Sequence, residues 1–265
     1  MKYTTILVLA LLLFSCDGEQ KPASAPTDTD TTAVKTPLTK EEEVYKNICW
    51  VGHIDNRIPI FVHYQLQEEI AVGSITYLNT DARKPIRLIG EIGAGLVFLT
   101  EYDEAGNITG TLLGKINEQR IEGSWNPPNT GSDESLDLVL ERKDTTILSN
   151  SIEVDPADVF GTYSYQYGEA GYQGEFSFTK KEGGYAALEL ISVTQEPARN
   201  IADLQIDSLR LSGTSYSYTV PEAENCAIEL QFYKDFARIV HPDGMSCMGY
   251  FGHNATAAGI FVKVK

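Results

Sequence analysis

Between Ile48 and Arg142 the chain divides into short strand-like runs, and their spacing restricts the fold more than any other feature. In residues 58–66, IPIFVHYQL, every second side chain from Ile58 to Leu66 lies on one face. Eight such runs are separated by breaks such as Asn-Thr-Asp, Gly-Ala-Gly and Pro-Pro-Asn. Parallel crossovers need about a dozen residues, so these breaks predict antiparallel neighbours. An eight-stranded meander protects its edges best by closing into a barrel.

A second series of runs follows residues 143–157, which interrupt the pattern with KDTTILSNSIEVDPA. The runs are FGTYSYQY, GEFSFTK, YAALELIS, IADLQID, SLRLSG, SYSYTV, CAIELQFY, ARIVH, SCMGYF and IFVKVK. We therefore predict an all-β protein with two small antiparallel β-barrel or β-sandwich domains. The first spans residues 44–142 and the second residues 158–265.

A glycine followed by Ser or Thr and then an apolar or aromatic residue recurs inside these runs. It occurs at Gly73-Ser74-Ile75, Gly110-Thr111-Leu112, Gly123-Ser124-Trp125 and Gly161-Thr162-Tyr163. In a small barrel a glycine lets a strand coil sharply or makes room for a bulky side chain. The repeated placement favours barrels over a chance distribution of glycine.

The N-terminus consists of a basic residue, Lys2, and an apolar run from Ile6 to Phe14, as in a signal peptide spanning residues 1–15. Leu13-Phe14-Ser15-Cys16 resembles the lipobox of bacterial lipoproteins. The resemblance implies that the Cys16 thiol carries diacylglycerol and that the chain is cut before Cys16. Acyl chains such as palmitate would then anchor the protein to an inner or outer membrane of the cell envelope. Asp17 resembles an inner-membrane retention signal in some bacteria and part of a surface-export signal in others, so both destinations stay open.

Residues 16–43 contain much Thr, Pro, Asp and Ala without apolar periodicity, which predicts a flexible, disordered tether. At its end Thr39 and Glu42 form a capping-box pattern. This pattern predicts two helical turns in TKEEEVYKN before the first strand.

The formal net charge of −16 argues against nucleic acid and anionic lipid as partners. It suits a basic envelope protein, although charge also simply keeps an exported protein soluble.

Export permits disulfides, and three cysteines remain besides Cys16. Cys226 and Cys247 lie in adjacent strand-like runs around the turn His241-Pro242-Asp243-Gly244, which predicts that they pair. Cys49 lies beside Trp50 in an apolar run, which predicts a buried free thiol.

The sequence offers little for catalysis. The four histidines form no zinc-like spacing, and the acidic loop after Tyr102 lacks the EF-hand pattern. Gly244-Met245-Ser246-Cys247 lacks the glycines of a nucleophile elbow, and no carboxylate pair is prominent. We therefore expect a protein that is not an enzyme, without a metal or a cofactor.

Tyrosine is concentrated in the second series of runs, and Tyr163, Tyr165 and Tyr167 share one strand face. With Tyr216 they are candidate binding residues, because tyrosine rings stack and their hydroxyls form hydrogen bonds with glycans or peptides. The alternative is cross-strand pairing on a half-buried sheet.

The C-terminal segment from Cys226 to Lys265 resembles the C-terminal modules of bacterial lysozyme-inhibitor-like lipoproteins. Ser212-Gly213 with Tyr216 is similar to the SGxxY-like loop of the membrane-bound inhibitors, whereas Lys234 precedes Asp235 and not the family's glycine. The resemblance implies a disulfide-closed β-barrel, and because of that departure the family's inhibitory site is not carried over to this chain.

Three hypotheses follow. The first is a non-catalytic envelope lipoprotein that binds or scaffolds, with a glycan or a basic protein as its partner. The second is a periplasmic inhibitor of an envelope-degrading enzyme such as lysozyme. The third is a glycan hydrolase.

Overall fold

A computed structural model describes residues 44–128, 135–221, 223, 225–242 and 247–265. The signal peptide, Cys16 and the tether lie outside these residues, so those predictions stay predictions. Within the described part, no helix is long and apolar enough to cross a membrane.

The described chain contains eighteen strands and a short 3-10 turn at Glu182–Gly184. In chain order the strands are β1 (Val44–Lys46), β2 (Ile48–Ile54), β3 (Ile58–Gln67), β4 (Ile70–Tyr77), β5 (Ile86–Gly93), β6 (Leu96–Tyr102), β7 (Asn107–Ile116), β8 (Arg120–Asn126), β9 (Leu136–Lys143), β10 (Leu148–Asn150), β11 (Gly161–Tyr167), β12 (Gln173–Lys180), β13 (Tyr185–Val193), β14 (Ile201–Arg210), β15 (Ser215–Thr219), β16 (Ala227–Tyr233), β17 (Phe236–Val240) and β18 (Gly259–Lys263).

Strands β2 to β9 form a closed antiparallel barrel. Each pairs with the next along the chain, and β9 returns to pair with β2. These are the eight runs predicted from the sequence, so the all-β class and the closed barrel are confirmed. The short connections leave each strand only its sequence neighbours as partners, and closure removes the free edges.

The barrel interior is filled by side chains, as expected for eight strands. Its core comprises mainly leucine, isoleucine and valine together with Trp50 and Tyr64, and the Trp50 indole donates a hydrogen bond to the Tyr64 hydroxyl at 3.1 Å. Burial raises the pKa of Tyr64 to about 12.

Glycines permit close approach of the barrel strands. A Cβ at Gly73 would overlap the backbone of His63 on β3, and one at Gly110 would lie 2.5 Å from the Trp125 indole nitrogen. The first glycine lets two strands coil together, and the second makes room for a large ring. Both roles match the prediction from the Gly-Ser/Thr pattern.

Strands β11 to β18 extend the same sheet beyond the barrel in a part here called the C-terminal sheet, in the order β14-β13-β12-β11-β18-β17-β16-β15. It curls around a core in which the Phe176 ring contacts the rings of both Phe232 and Phe261. The C-terminal sheet is continuous with the barrel, because β11 also pairs in parallel with β7. The described residues thus belong to one compact unit, and a division into two domains stays a prediction.

Three local expectations are wrong. Residues 44–46 were expected to be helical but form strand β1, which pairs with β10. Two helical turns are only marginally stable without packing. Pairing with Leu148–Asn150 instead gives the backbone of these residues hydrogen-bond partners. IADLQID and SLRLSG form a single strand, β14, whose pairing register shifts opposite Ala186 and Leu188 so that Leu209 returns to the core. The described part of SCMGYF forms turns and not a strand.

The predicted cysteine chemistry is confirmed. Cys226 and Cys247 form a disulfide, with Cα atoms 4.1 Å apart, and Cys49 is a buried free thiol. Burial raises the pKa of the Cys49 thiol, which lies 3.4 Å from the Thr145 carbonyl oxygen.

Candidate ligand-binding cleft

The sheet divides along one edge of β11. Tyr163 and Ser164 pair with Lys263 and Val262 of β18, whereas Gln166 and Tyr167 pair with Asn107 and Ile108 of β7. The first part of the edge therefore belongs to the C-terminal sheet and the last part to the barrel. We call this division the fork.

An open cavity of about 670 Å³ lies at the fork. One wall is the outer face of the barrel, from β5 to β7, and the other is built by β11, β17 and β18. Its aromatic lining consists of Phe98, Tyr102, Tyr165, Tyr167 and Tyr172. This size and lining are typical of a small-molecule site, where a few polar groups orient a ligand against apolar walls.

The floor of the cleft is buried. The Tyr165 ring packs edge-on against Phe261, with 4.9 Å between ring centroids, and against Tyr167 at 6.2 Å. From the barrel side the Tyr102 hydroxyl donates a hydrogen bond to the Ile260 carbonyl oxygen at 3.3 Å. Burial raises the pKa of Tyr165 to about 12 and that of Tyr102 well above its usual range, so both hydroxyls stay protonated and can donate hydrogen bonds.

Two of the aromatic rings that line the cleft are exposed. Phe98 on β6 is 42% exposed, and Tyr172 in the loop between β11 and β12 is 38% exposed. Large exposed aromatic side chains beside a cleft are typical of contact sites, because their apolar faces gain from being covered.

One ion pair closes one side of the cleft. Arg238 Nε on β17 lies 2.6 Å from Glu91 Oε1 on β5, and both side chains are partly exposed. The pair connects the two walls and presents a donor and an acceptor to whatever occupies the space between them.

The structure separates the predicted tyrosines into two groups. Tyr165 and Tyr167 line the cleft, whereas the ring of Tyr163, only 1% exposed, stacks on Phe176 in the core of the C-terminal sheet. Tyr216 is buried against Phe178, and its hydroxyl donates a hydrogen bond to the Gly213 carbonyl oxygen at 2.7 Å. Tyr163 and Tyr216 therefore stabilise the core in this structure, while Tyr165 and Tyr167 remain binding candidates.

Sequence reasoning missed Phe98, Tyr102 and the Glu91–Arg238 pair. In the sequence they are ordinary strand residues, and only the pairing of β7 with β11 brings them to one cavity. The outward position of Phe98 beside the inward Val97 and Leu99 was the one available signal, because a large aromatic residue on an exposed strand face is unusual.

A second polar cluster inside the barrel was also missed. Glu101, 1% exposed, accepts hydrogen bonds from the Tyr77 hydroxyl at 2.8 Å, the Trp125 indole at 2.7 Å and the Thr109 hydroxyl at 3.3 Å. Burial raises the pKa of the Glu101 carboxyl, and the three donors oppose that rise only in part.

Two of the histidines take part in local hydrogen bonding. His63 bonds to Ser74 Oγ at 2.9 Å, and His241 lies between the Ala227 carbonyl oxygen and Thr256 Oγ1. In the described ranges, no three histidine, cysteine, aspartate or glutamate side chains form a group that could hold a metal ion.

The fold and the cleft together define an all-β protein with a closed eight-stranded barrel, a curled C-terminal sheet and an aromatic cleft where they meet. No protein-family model, curated protein or solved structure matches this chain. Function is therefore inferred from the geometry of the cleft.

Proposed function

We propose that this protein is a non-catalytic lipoprotein of the cell envelope that binds a ligand in the cleft at the fork. The observation that carries the proposal is the open aromatic cavity between the barrel and the C-terminal sheet, with an ion pair on one side. A preformed cavity with apolar walls and few polar groups suits binding, because the ligand gains burial without ordering the site.

The lining chemistry favours binding over catalysis. Apart from tyrosines, the ionisable residues that line the cleft are Glu91 and Arg238, and each is neutralised by the other. A general acid or a nucleophile requires a group that is free to exchange a proton or to attack, and a paired carboxylate is poorly suited to either task.

The membrane anchor is a proposal from the sequence alone. Lipid on Cys16 and a tether up to residue 43 would hold the cleft at a distance from the membrane surface. A scaffold or a carrier for a glycan is compatible with that placement.

We also propose that the barrel and the C-terminal sheet are two domains that share an interface. The barrel interior has its own core, while outward-facing Ile70, Ile89, Tyr102 and Ile108 pack into the core of the C-terminal sheet. Cleft sites between domains are common, since neither domain alone must leave a cavity in its core.

The test is titration of the mature protein with the uncharged dye N-phenyl-1-naphthylamine, whose fluorescence rises in apolar sites. Thr111 lines the cleft from β7, so the indole ring of Thr111→Trp should obstruct it and weaken the rise. Thr76→Trp, on β4 away from the cleft, is the matched control. Absence of a fluorescence rise in the wild type, or equal rises in wild type and Thr111→Trp, would contradict the proposal.

The inhibitor hypothesis is tested in parallel by measuring lysozyme activity with the protein in excess. Inhibition that Thr111→Trp leaves unchanged would assign the function to another surface and contradict the cleft proposal.

A further inference from the structure

The class of ligand can be narrowed from the walls and the charges of the cleft. Phe98 and Tyr172 both line the cleft with exposed rings, and the buried tyrosines form its floor. An exposed ring favours a flat ligand with apolar faces, because it can stack on one of those faces. The faces of a sugar ring, which carry C–H groups, have this character, and aromatic side chains cover them at little entropic cost.

The ion pair sets the second requirement. Glu91 can accept hydrogen bonds and Arg238 keeps several N–H donors besides the Nε that contacts Glu91. A ligand that covers the pair must therefore both donate and accept, since covering charged groups without replacing their water contacts is costly. Hydroxyl groups satisfy both requirements.

Charge argues against an ionic ligand. An anion that reaches Arg238 would also face the Glu91 carboxylate, in a protein with a net charge of −16. A cation that reaches Glu91 would face Arg238. A wholly apolar ligand would desolvate the pair without compensation.

We propose, on the basis of the binding function proposed above, that the cleft binds an uncharged saccharide. Its sugar rings stack on Phe98 and Tyr172, and its hydroxyls bond to Glu91 and Arg238 at the side of the cleft. The cavity of about 670 Å³ accommodates roughly two or three sugar rings, which makes the ligand a short oligosaccharide or the end of a longer glycan.

The experiment is isothermal titration of the mature protein with three neutral trisaccharides: chitotriose, cellotriose and maltotriose. The comparison ligands are trigalacturonate, which is anionic, and the glucosamine trimer, which is the cationic counterpart of chitotriose. Chitotriose here denotes the N-acetylated, uncharged trimer. We expect at least one neutral trisaccharide to bind, and to bind more tightly than either charged trimer.

The variants locate the site. Phe98→Ala and Tyr172→Ala should each weaken binding of the neutral sugar about tenfold, because each removes one stacking ring. Leu96→Ala on the same strand and Tyr185→Ala on β13 are matched controls, since both residues are exposed and neither lines the cleft. The controls should bind like the wild type.

Glu91→Gln distinguishes the ligand classes by the sign of its effect. It should weaken a neutral sugar several-fold, because an amide oxygen is a weaker acceptor than a carboxylate, whereas it would strengthen an anion. Dye binding without any binding of the three neutral trisaccharides would overturn the saccharide inference and leave the binding function intact. Tighter binding of a charged trimer would also overturn it. If the wild type binds neither the dye nor any trisaccharide, both the binding function and the saccharide inference are contradicted.

Discussion

At the scale of the residue, Glu101 is a carboxyl group placed inside an otherwise apolar barrel. Three neutral donors surround it, and the glycine at position 110 provides the space: a Cβ there would lie 2.9 Å from Glu101 Oε1. Burial disfavours the charged form, so the folded barrel retains a proton that the unfolded chain releases at a lower pH.

This linkage predicts a pH-dependent contribution to stability. Between the unfolded pKa of about 4.3 and the raised pKa of the folded state, the native protein binds more protons than the unfolded chain. Stability therefore falls as pH rises through this window, by about 1.36 kcal/mol for each unit of pKa difference. Glu101→Gln should remove that fall and leave the variant more stable than the wild type above the window.

Urea denaturation between pH 4 and pH 8, followed by tryptophan fluorescence, measures the effect. Glu118→Gln is the control, because Glu118 is exposed in the turn before β8. A constant difference in unfolding free energy between Glu101→Gln and the wild type across this range would show that Glu101 has no shifted titration.

Gly110→Ala tests the same cluster from the backbone side. The added methyl group would lie 2.5 Å from the Trp125 indole nitrogen, so the ring must move away from Glu101. We expect a loss of about 1–3 kcal/mol, as for overpacked cores, together with a shift of tryptophan fluorescence. Thr111→Ala, the next residue on β7, should leave the fluorescence unchanged.

At the scale of the element, the disulfide fixes the chain before β16 to the loop after β17. Cys226 and Cys247 are both buried, 21 residues apart in sequence, while Cys49 is covered by the segment that follows the barrel. The crosslink lies wholly within the C-terminal sheet.

Replacing both Cys226 and Cys247 by serine should lower the stability of the C-terminal sheet by about 3 kcal/mol, the value expected for a loop of this length. Hydrogen exchange should accelerate in β16 and β17 and stay unchanged in β3 and β4. Equal acceleration in both sets of strands would mean that barrel and C-terminal sheet unfold as one unit, against the two-domain proposal. Cys49→Ala, which removes a thiol outside the crosslink, is the control.

At the scale of the whole molecule, the barrel could be predicted and the fork could not. Strand alternation and short breaks are local signals, and they determine that neighbours in sequence pair in space. The pairing of Gln166 with Asn107 joins residues far apart in the chain, and neither segment carries a signal for the other. The same limit explains why Tyr165 and Tyr167 were identified as candidates while Phe98, Tyr102 and Arg238 were not.

The membrane anchor also belongs to this scale. Cys16→Ala should abolish incorporation of a fatty-acid analogue in growing cells, because the lipobox contains no other thiol. Cys49→Ala is the control and should label like the wild type. Undiminished label in Cys16→Ala would contradict the lipoprotein prediction.

The order of the strands affects how copies of this protein contact each other when they are crowded. The closed barrel has no free edge, so the edge strands of the C-terminal sheet are β14 and β15. Along β14 the exposed face carries Asp203 and Asp207, so a second copy adding to this edge would bring two rows of carboxylates together. Copies crowded on one surface would therefore repel each other where fibrous association would otherwise begin.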